Sequence, residues 1–129
     1  MKIYRCNKCG NILVVVNDGG VVPKCCNEDM ELLKANTTDG ILEKHVPVVE
    51  IYDGTIEVKV GEIEHPMIED HYIKMIMLET DKGCCLKFLT PGEKPETKFK
   101  LCGNENPIAV YEYCNIHSLF KKDIDYEEK

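Results

Sequence analysis

A chain of 129 residues, 43% hydrophobic and 30% charged, has the composition of a globular protein of one domain, or of a small module joined to a domain of about 90 residues. Its net charge of -7 leaves no basic stripe to neutralise phosphates, which excludes nucleic acid as a partner, and no apolar run approaches the roughly 18 residues of a membrane span. Met1-Lys2-Ile3-Tyr4-Arg5 runs straight into Cys6 with no room for a signal peptide, so a cytoplasmic protein is expected, and eight cysteines in that reducing compartment read as metal ligands rather than disulfides.

In chain order, residues 1–35 read as a module pinned by metal. Cys6-Asn7-Lys8-Cys9-Gly10 is a thiolate knuckle in which Gly10 can adopt positive φ and turn backbone N–H groups towards sulfur. Ile12 to Val16 is a β-prone run, Asn17-Asp18-Gly19-Gly20 a turn and Val21-Val22 a return strand. Pro23 then delivers Cys25 and Cys26. So short a piece buries too little apolar surface to fold alone, and metal binding is expected to supply the folding free energy.

Residues 36–40, Asn-Thr-Thr-Asp-Gly, are polar and aperiodic and read as a linker. From 41 to 129 the pattern is β throughout. Val48 to Tyr52 and Thr55 to Val60 flank Asp53-Gly54, a hairpin turn signal. Ile73 to Leu78, Cys84 to Leu89, Lys98 to Leu101 and Ile108 to Tyr113 are further strands. No convincing amphipathic helix interrupts them, which predicts a mainly β fold with a β-sandwich or small barrel. Asn115 to Phe120 reads as a short helical turn, and Lys121 to Lys129 as a charged tail that frays. Cys84, Cys85 and Cys102 stand outside any ligand pattern; Cys84 and Cys85 read as small buried apolar residues.

Two ligand sets follow. Cys6, Cys9, Cys25 and Cys26 form an all-sulfur set, suited to a mononuclear iron or to zinc. Cys25 and Cys26 are adjacent, and adjacent residues of an extended chain point to opposite sides, so they must bend locally to share one ion. The second set is mostly nitrogen. His45 and His65 stand close before Pro47 and Pro66, His71 follows shortly after, and Cys114-Asn115-Ile116-His117 places a thiolate and an imidazole on one turn. Four imidazoles and a thiolate exceed tetrahedral zinc and leave one octahedral position open on an iron. A blue-copper centre also uses Cys-x2-His on a sandwich, but no methionine follows His117 to serve as its axial ligand.

These motifs, in this order, resemble desulfoferrodoxin, the two-iron superoxide reductase family. The resemblance runs through Cys6-x2-Cys9, Cys25-Cys26, Asn36 to Gly40, Glu43-Lys44-His45-Val46-Pro47, His65-Pro66-Met67, His71, Phe88-Leu89-x-Pro91-Gly92 and Glu112-Tyr113-Cys114-Asn115-x-His117. It implies a desulforedoxin-like module, an immunoglobulin-like β-domain and a homodimer. It further implies two irons per chain: one on the four cysteines, one on equatorial His45, His65, His71 and His117 with axial Cys114. Implied too are one-electron reduction of superoxide to hydrogen peroxide and a small electron donor such as rubredoxin. Lys44 would attract the anion, and Glu43 would occupy the open position after product leaves. Asn27 stands after Cys26 where the family would place glycine. The contrasting expectation is a non-catalytic iron or copper electron-transfer protein on the same ligands, which would have no need of an open position beside a lysine.

Overall fold

The computed structural model describes residues 1–38 and 40–125. The chain divides into two compact units, Met1–Lys34 and Ala35–Lys129.

In the first unit, β1 (Ile3–Arg5) lies between β2 (Ile12–Val14) and β5 (Glu31–Leu32), and β3 (Lys24–Cys25) pairs with β4 (Glu28–Asp29), all antiparallel. Tyr4, Cys6 and Met30 form its core, with Val15 and Cys25 against them. Between β3 and β4, Cys26 and Asn27 adopt φ of 53° and 62°. Two successive left-handed residues closing a hairpin are the type I′ arrangement, and asparagine enters that region more readily than most residues, so Asn27 serves where glycine was expected. The predicted return strand Val21-Val22 does not form. β1 takes the pairing that β2 offers, and Val16 and Val21 are left 99% and 81% exposed.

The second unit is a sandwich. One sheet has the order β10-β7-β6, from β6 (Pro47–Tyr52), β7 (Thr55–Val60) and β10 (Glu96–Lys100). The other has the order β12-β11-β8-β9, from β8 (Ile73–Thr80), β9 (Gly83–Phe88), β11 (Pro107–Cys114) and β12 (Ser118–Asp123). Three strands on four in this order is the Greek-key arrangement of immunoglobulin-like sandwiches. Asp53 and Gly54, at φ of 49° and 71°, make the predicted two-residue hairpin and fix the register Tyr52↔Thr55. Ile56, Val58, Val60 and Phe99 of one sheet pack on Ile73, Ile76, Leu78 and Val110 of the other.

Several expectations are corrected here. Residues 115–117 form a tight turn and Ser118 begins β12, because Cys114 pairs directly with Ser118, whose φ is 70°. β12 also takes up Lys121 to Asp123 of the supposed tail, and Ile124 is buried; the tail's last residues, 126–129, lie outside the described residues. Alternating charges at 121 and 123 are what an edge strand carries, not evidence of fraying. A short helix absent from the sequence reading, α1 (Leu42–His45), precedes β6. Within the segment read as the linker, the Asn36 side chain donates to the Lys121 carbonyl at 3.1 Å and accepts from the Lys121 N–H at 2.8 Å. Asp39, within that segment, lies outside the described residues. Cys84 and Cys85 are exposed, because β9 is an edge strand with every residue at the surface.

Candidate metal centres

The knuckle after β1 is closed by backbone bonds from Gly10 N–H to the Cys6 carbonyl at 2.9 Å and from Cys6 N–H to Asn11 at 2.8 Å, with Gly10 at φ 85°. The β3–β4 turn brings in the second pair. The Cys9 and Cys25 sulfurs are 3.6 Å apart, those of Cys25 and Cys26 4.0 Å, and all four lie within 4.8 Å of one another. The Cys9 and Lys8 N–H groups stabilise the Cys6 thiolate and lower its pKa to about 6. Sulfur–sulfur hydrogen bonds from Cys9, Cys6 and Cys25 hold the Cys26 proton up to about 12. One thiolate forms readily and the next resist, which is the behaviour of anions crowded around a place that a cation would fill.

In the sandwich, four imidazoles form a ring in the order His45, His65, His71, His117. Adjacent centroids are 4.5, 4.6, 5.1 and 4.8 Å apart, with interplanar angles of 80°, 83°, 69° and 89°. Across the ring, His45 and His71 are 6.3 Å apart and tilted by 30°. Cys114 Sγ lies within 4.8 Å of the ligand nitrogens of His45, His65 and His71, and 3.9 Å from His117 Nδ1.

The tautomers show what this ring suits. His45 Nδ1 donates to the Ile41 carbonyl at 2.7 Å, and His65 Nδ1 to the Pro66 carbonyl at 2.7 Å. A neutral imidazole so engaged has a bare lone pair on Nε2. Yet His45 Nε2 stands 3.1 Å from both His65 Nε2 and His117 Nδ1. Burial lowers the pKa of His45 and His71 and takes that of His65 to about 4, so protonation does not relieve the crowding at neutral pH. His71 Nε2 is buried without a hydrogen-bond partner among the described residues. Nitrogens crowded on one point, with those of His45 and His65 held by backbone carbonyls behind them, fit a metal cation. Burial raises the Cys114 thiol, opposed by N–H groups of His117 and Ile116, so a cation is also what would bring out its thiolate.

Of the remaining sequence-predicted residues, Glu43 is exposed and Lys44 half-buried on α1, immediately before His45. The Lys44 charge lies close enough to His45 and His71 to disfavour their protonation, after the larger effect of burial. Other residues at the site escaped the sequence reading. A Cβ on Gly61 would stand 2.6 Å from the Glu43 carbonyl oxygen, and one on Gly40 2.7 Å from Phe120 and 2.9 Å from His117 Cβ. At Gly61 only glycine lets the two backbones approach, and at Gly40 a side chain would press on Phe120 and His117. Phe120 packs 4.5 Å from the His45 ring. Glu112, facing the core beside Ile76 and Phe120, is fully buried with neither carboxylate oxygen partnered, and burial holds its pKa well above the usual range. These contacts join residues far apart in sequence and leave no local signal.

Residues 37–123 match the family described as Desulfoferrodoxin, and residues 1–33 its N-terminal domain. The chain belongs to the desulfoferrodoxin family. It is 46% identical to the desulfoferrodoxin of Desulfarculus baarsii over 95% of this chain and 96% of that one. With the desulfoferrodoxin homolog of Methanothermobacter thermautotrophicus it shares 47% over 92% and 95%. A crystal structure of the superoxide reductase from Treponema pallidum superposes with a TM-score of 0.79 at 31% identity, covering 95% of this chain and all of that one. The one-iron superoxide reductase of Giardia intestinalis aligns with 64% of this chain and 98% of its own, at a TM-score of 0.56 and 26% identity. Iron is the metal that desulfoferrodoxin membership implies, and both ligand clusters suit it by donor type.

Proposed function

We propose that the protein is a superoxide reductase, an oxidoreductase that takes one superoxide, one electron and two protons to one hydrogen peroxide. The observation that carries this reading is the ring of four imidazoles, two of them with tautomers fixed by backbone carbonyls, beside a buried thiol. His45, His65, His71, His117 and Cys114 would hold an iron there, and in the ferrous state it would supply the single electron.

The chain's own residues do the rest. With the protein at -7 overall, attraction of a small anion has to be local, and Lys44 supplies it beside two of the four rings. Ile41 and Pro66 carbonyls hold His45 and His65 as neutral donors, so the ring plane does not collapse on approach of substrate. Backbone N–H groups at the 115–117 turn favour the anionic form of Cys114. Glu43, exposed on the same turn as Lys44, would offer the iron a hard carboxylate oxygen. Cys6, Cys9, Cys25 and Cys26 hold a second iron, and a small one-electron protein such as rubredoxin replenishes electrons. The assembly is a homodimer, and eight unpaired thiols suit the reducing cytoplasm.

Pulse radiolysis of the reduced, iron-loaded protein tests the reading. One peroxide per superoxide consumed, with no dioxygen released, is expected. Dioxygen evolution would make it a dismutase, and inertness towards superoxide would leave a carrier of electrons.

A further inference from the structure

Two of the four imidazoles have an outer hydrogen bond: His45 and His65 donate through Nδ1 to carbonyls at 2.7 Å. His117 is tied through its backbone N–H to Cys114 Sγ at 3.4 Å, within its own turn. His71 has neither: its Nε2 has no partner among the described residues, and its backbone exchanges two bonds with Ile68, at 3.0 and 3.1 Å. The polar groups on either side of it converge on one residue of another strand end. Asn115 Oδ1 accepts from Tyr72 N–H at 2.9 Å, Asn115 Nδ2 donates to the Asp70 carbonyl at 3.1 Å, and Asn115 N–H donates to the Tyr72 carbonyl at 3.2 Å. Asn115 is itself the residue after Cys114, on the turn that also carries His117.

We propose that Asn115 is a positioning residue: by clamping the backbone on both sides of His71 to the Cys114–His117 turn, it fixes where one imidazole stands relative to the thiolate. The inference rests on the iron-site reading above. A carboxamide is suited to this task because a single side chain offers an acceptor for the peptide after His71 and a donor for the peptide before it. A histidine without its own hydrogen-bonded support has its direction set by the backbone that carries it. Removing the clamp frees the 70–72 segment to shift while Ile68 still holds His71, so the ligand field changes before the fold does.

The test compares wild type, Asn115→Ala and Asn115→Asp as full-length, iron-loaded proteins. Three readouts are taken: the rate of iron release to a chelator, the line shape of the oxidised high-spin signal in electron paramagnetic resonance, and the thermal midpoint. For Asn115→Ala, release should accelerate by about tenfold or more, the scale on which outer supports of ligands act, and the line shape should change. Asn115→Asp keeps the acceptor for Tyr72 and loses the donor to Asp70, so its release rate should lie between the two and its line shape return towards wild type. If the alanine variant does not fold, the aspartate variant decides, and a wild-type release rate in it overturns the proposal. A lower thermal midpoint with unchanged line shape and release overturns it too, because that is merely structural behaviour. If wild type itself shows no signal from an iron with nitrogen and thiolate ligands, the functional reading fails and this inference with it; a normal wild type beside an unaffected alanine variant sinks this inference alone.

Discussion

The Nε2 atoms of His45 and His65 lie 3.1 Å apart although each ring has already given its proton to a backbone carbonyl. Two lone pairs at that distance oppose each other, and burial keeps the pKa of both rings low. The fold therefore stores an unfavourable arrangement that a cation converts into a favourable one. A divalent metal should raise the midpoint of the sandwich unit's thermal transition, with stabilisation of about 2.7 kcal/mol at free metal a hundredfold above its dissociation constant. Calorimetry with and without chelator measures it; equal midpoints would mean that the ring does not bind metal.

Cys114→Ser replaces a soft anionic donor by a hydroxyl that stays protonated. The variant should lose thiolate-to-iron charge transfer and superoxide reduction while keeping the β circular dichroism of the sandwich, whose core also draws on Ile56, Val58, Val60, Ile76, Leu78 and Val110. Retention of full activity would remove Cys114 from the ligand set.

Lys44→Ala tests local attraction. The second-order rate with superoxide should fall, and its dependence on ionic strength should flatten, because salt then has less attraction to screen. Pulse radiolysis at several salt concentrations distinguishes this from a bystander, for which rate and slope would both be unchanged.

Glu112 makes stability depend on pH. Its carboxyl is held protonated in the folded chain by burial, whereas the unfolded chain releases that proton near pH 4.3. Between those two values the folded state binds the extra proton, so stability falls as pH rises. Glu112→Gln removes the liability. In zinc-loaded protein the variant should be near wild type around pH 4 and more stable above it, the gap widening by up to about 1.4 kcal/mol per pH unit. A gap independent of pH would show that Glu112 is not held neutral.

How much of this was legible depends on the range of each interaction. Asp53-Gly54, the alternation in Thr55 to Val60 and the Cys-x2-Cys and Cys-x2-His spacings act within a few residues, and each appears in the structure where the pattern put it. Asn115 to Phe120 was misread because a Cys-x2-His spacing suits a helical turn as well as a tight one; the closing pair Cys114↔Ser118 belongs to a hairpin that composition does not announce. Cys84 and Cys85 were assigned to the interior because nothing in a six-residue β-prone run says that β9 will have a neighbour on one side alone. Gly61 stands out in no motif and Gly40 reads only as the end of the linker; their close contacts appear when α1 and Phe120 come to lie against them.

Cys26→Ser separates the two metal sets. The substitution removes one of the two cysteines that the β3–β4 hairpin contributes, in a unit with a small core around Tyr4, Cys6 and Met30. Such a core cannot offset the chain entropy of Met1–Lys34 without the metal. The variant should therefore lose the sulfur-site spectrum and the thermal transition of the first unit. The imidazole ring and Cys114 are all supplied by the second unit, which has its own aliphatic core. With the second iron reduced beforehand, superoxide should still be consumed at about the wild-type rate in a single turnover. Slower multiple turnovers with an external donor would assign the first iron a relay role. A single-turnover rate no better than that of free ferrous ion would show that the two sets do not function independently.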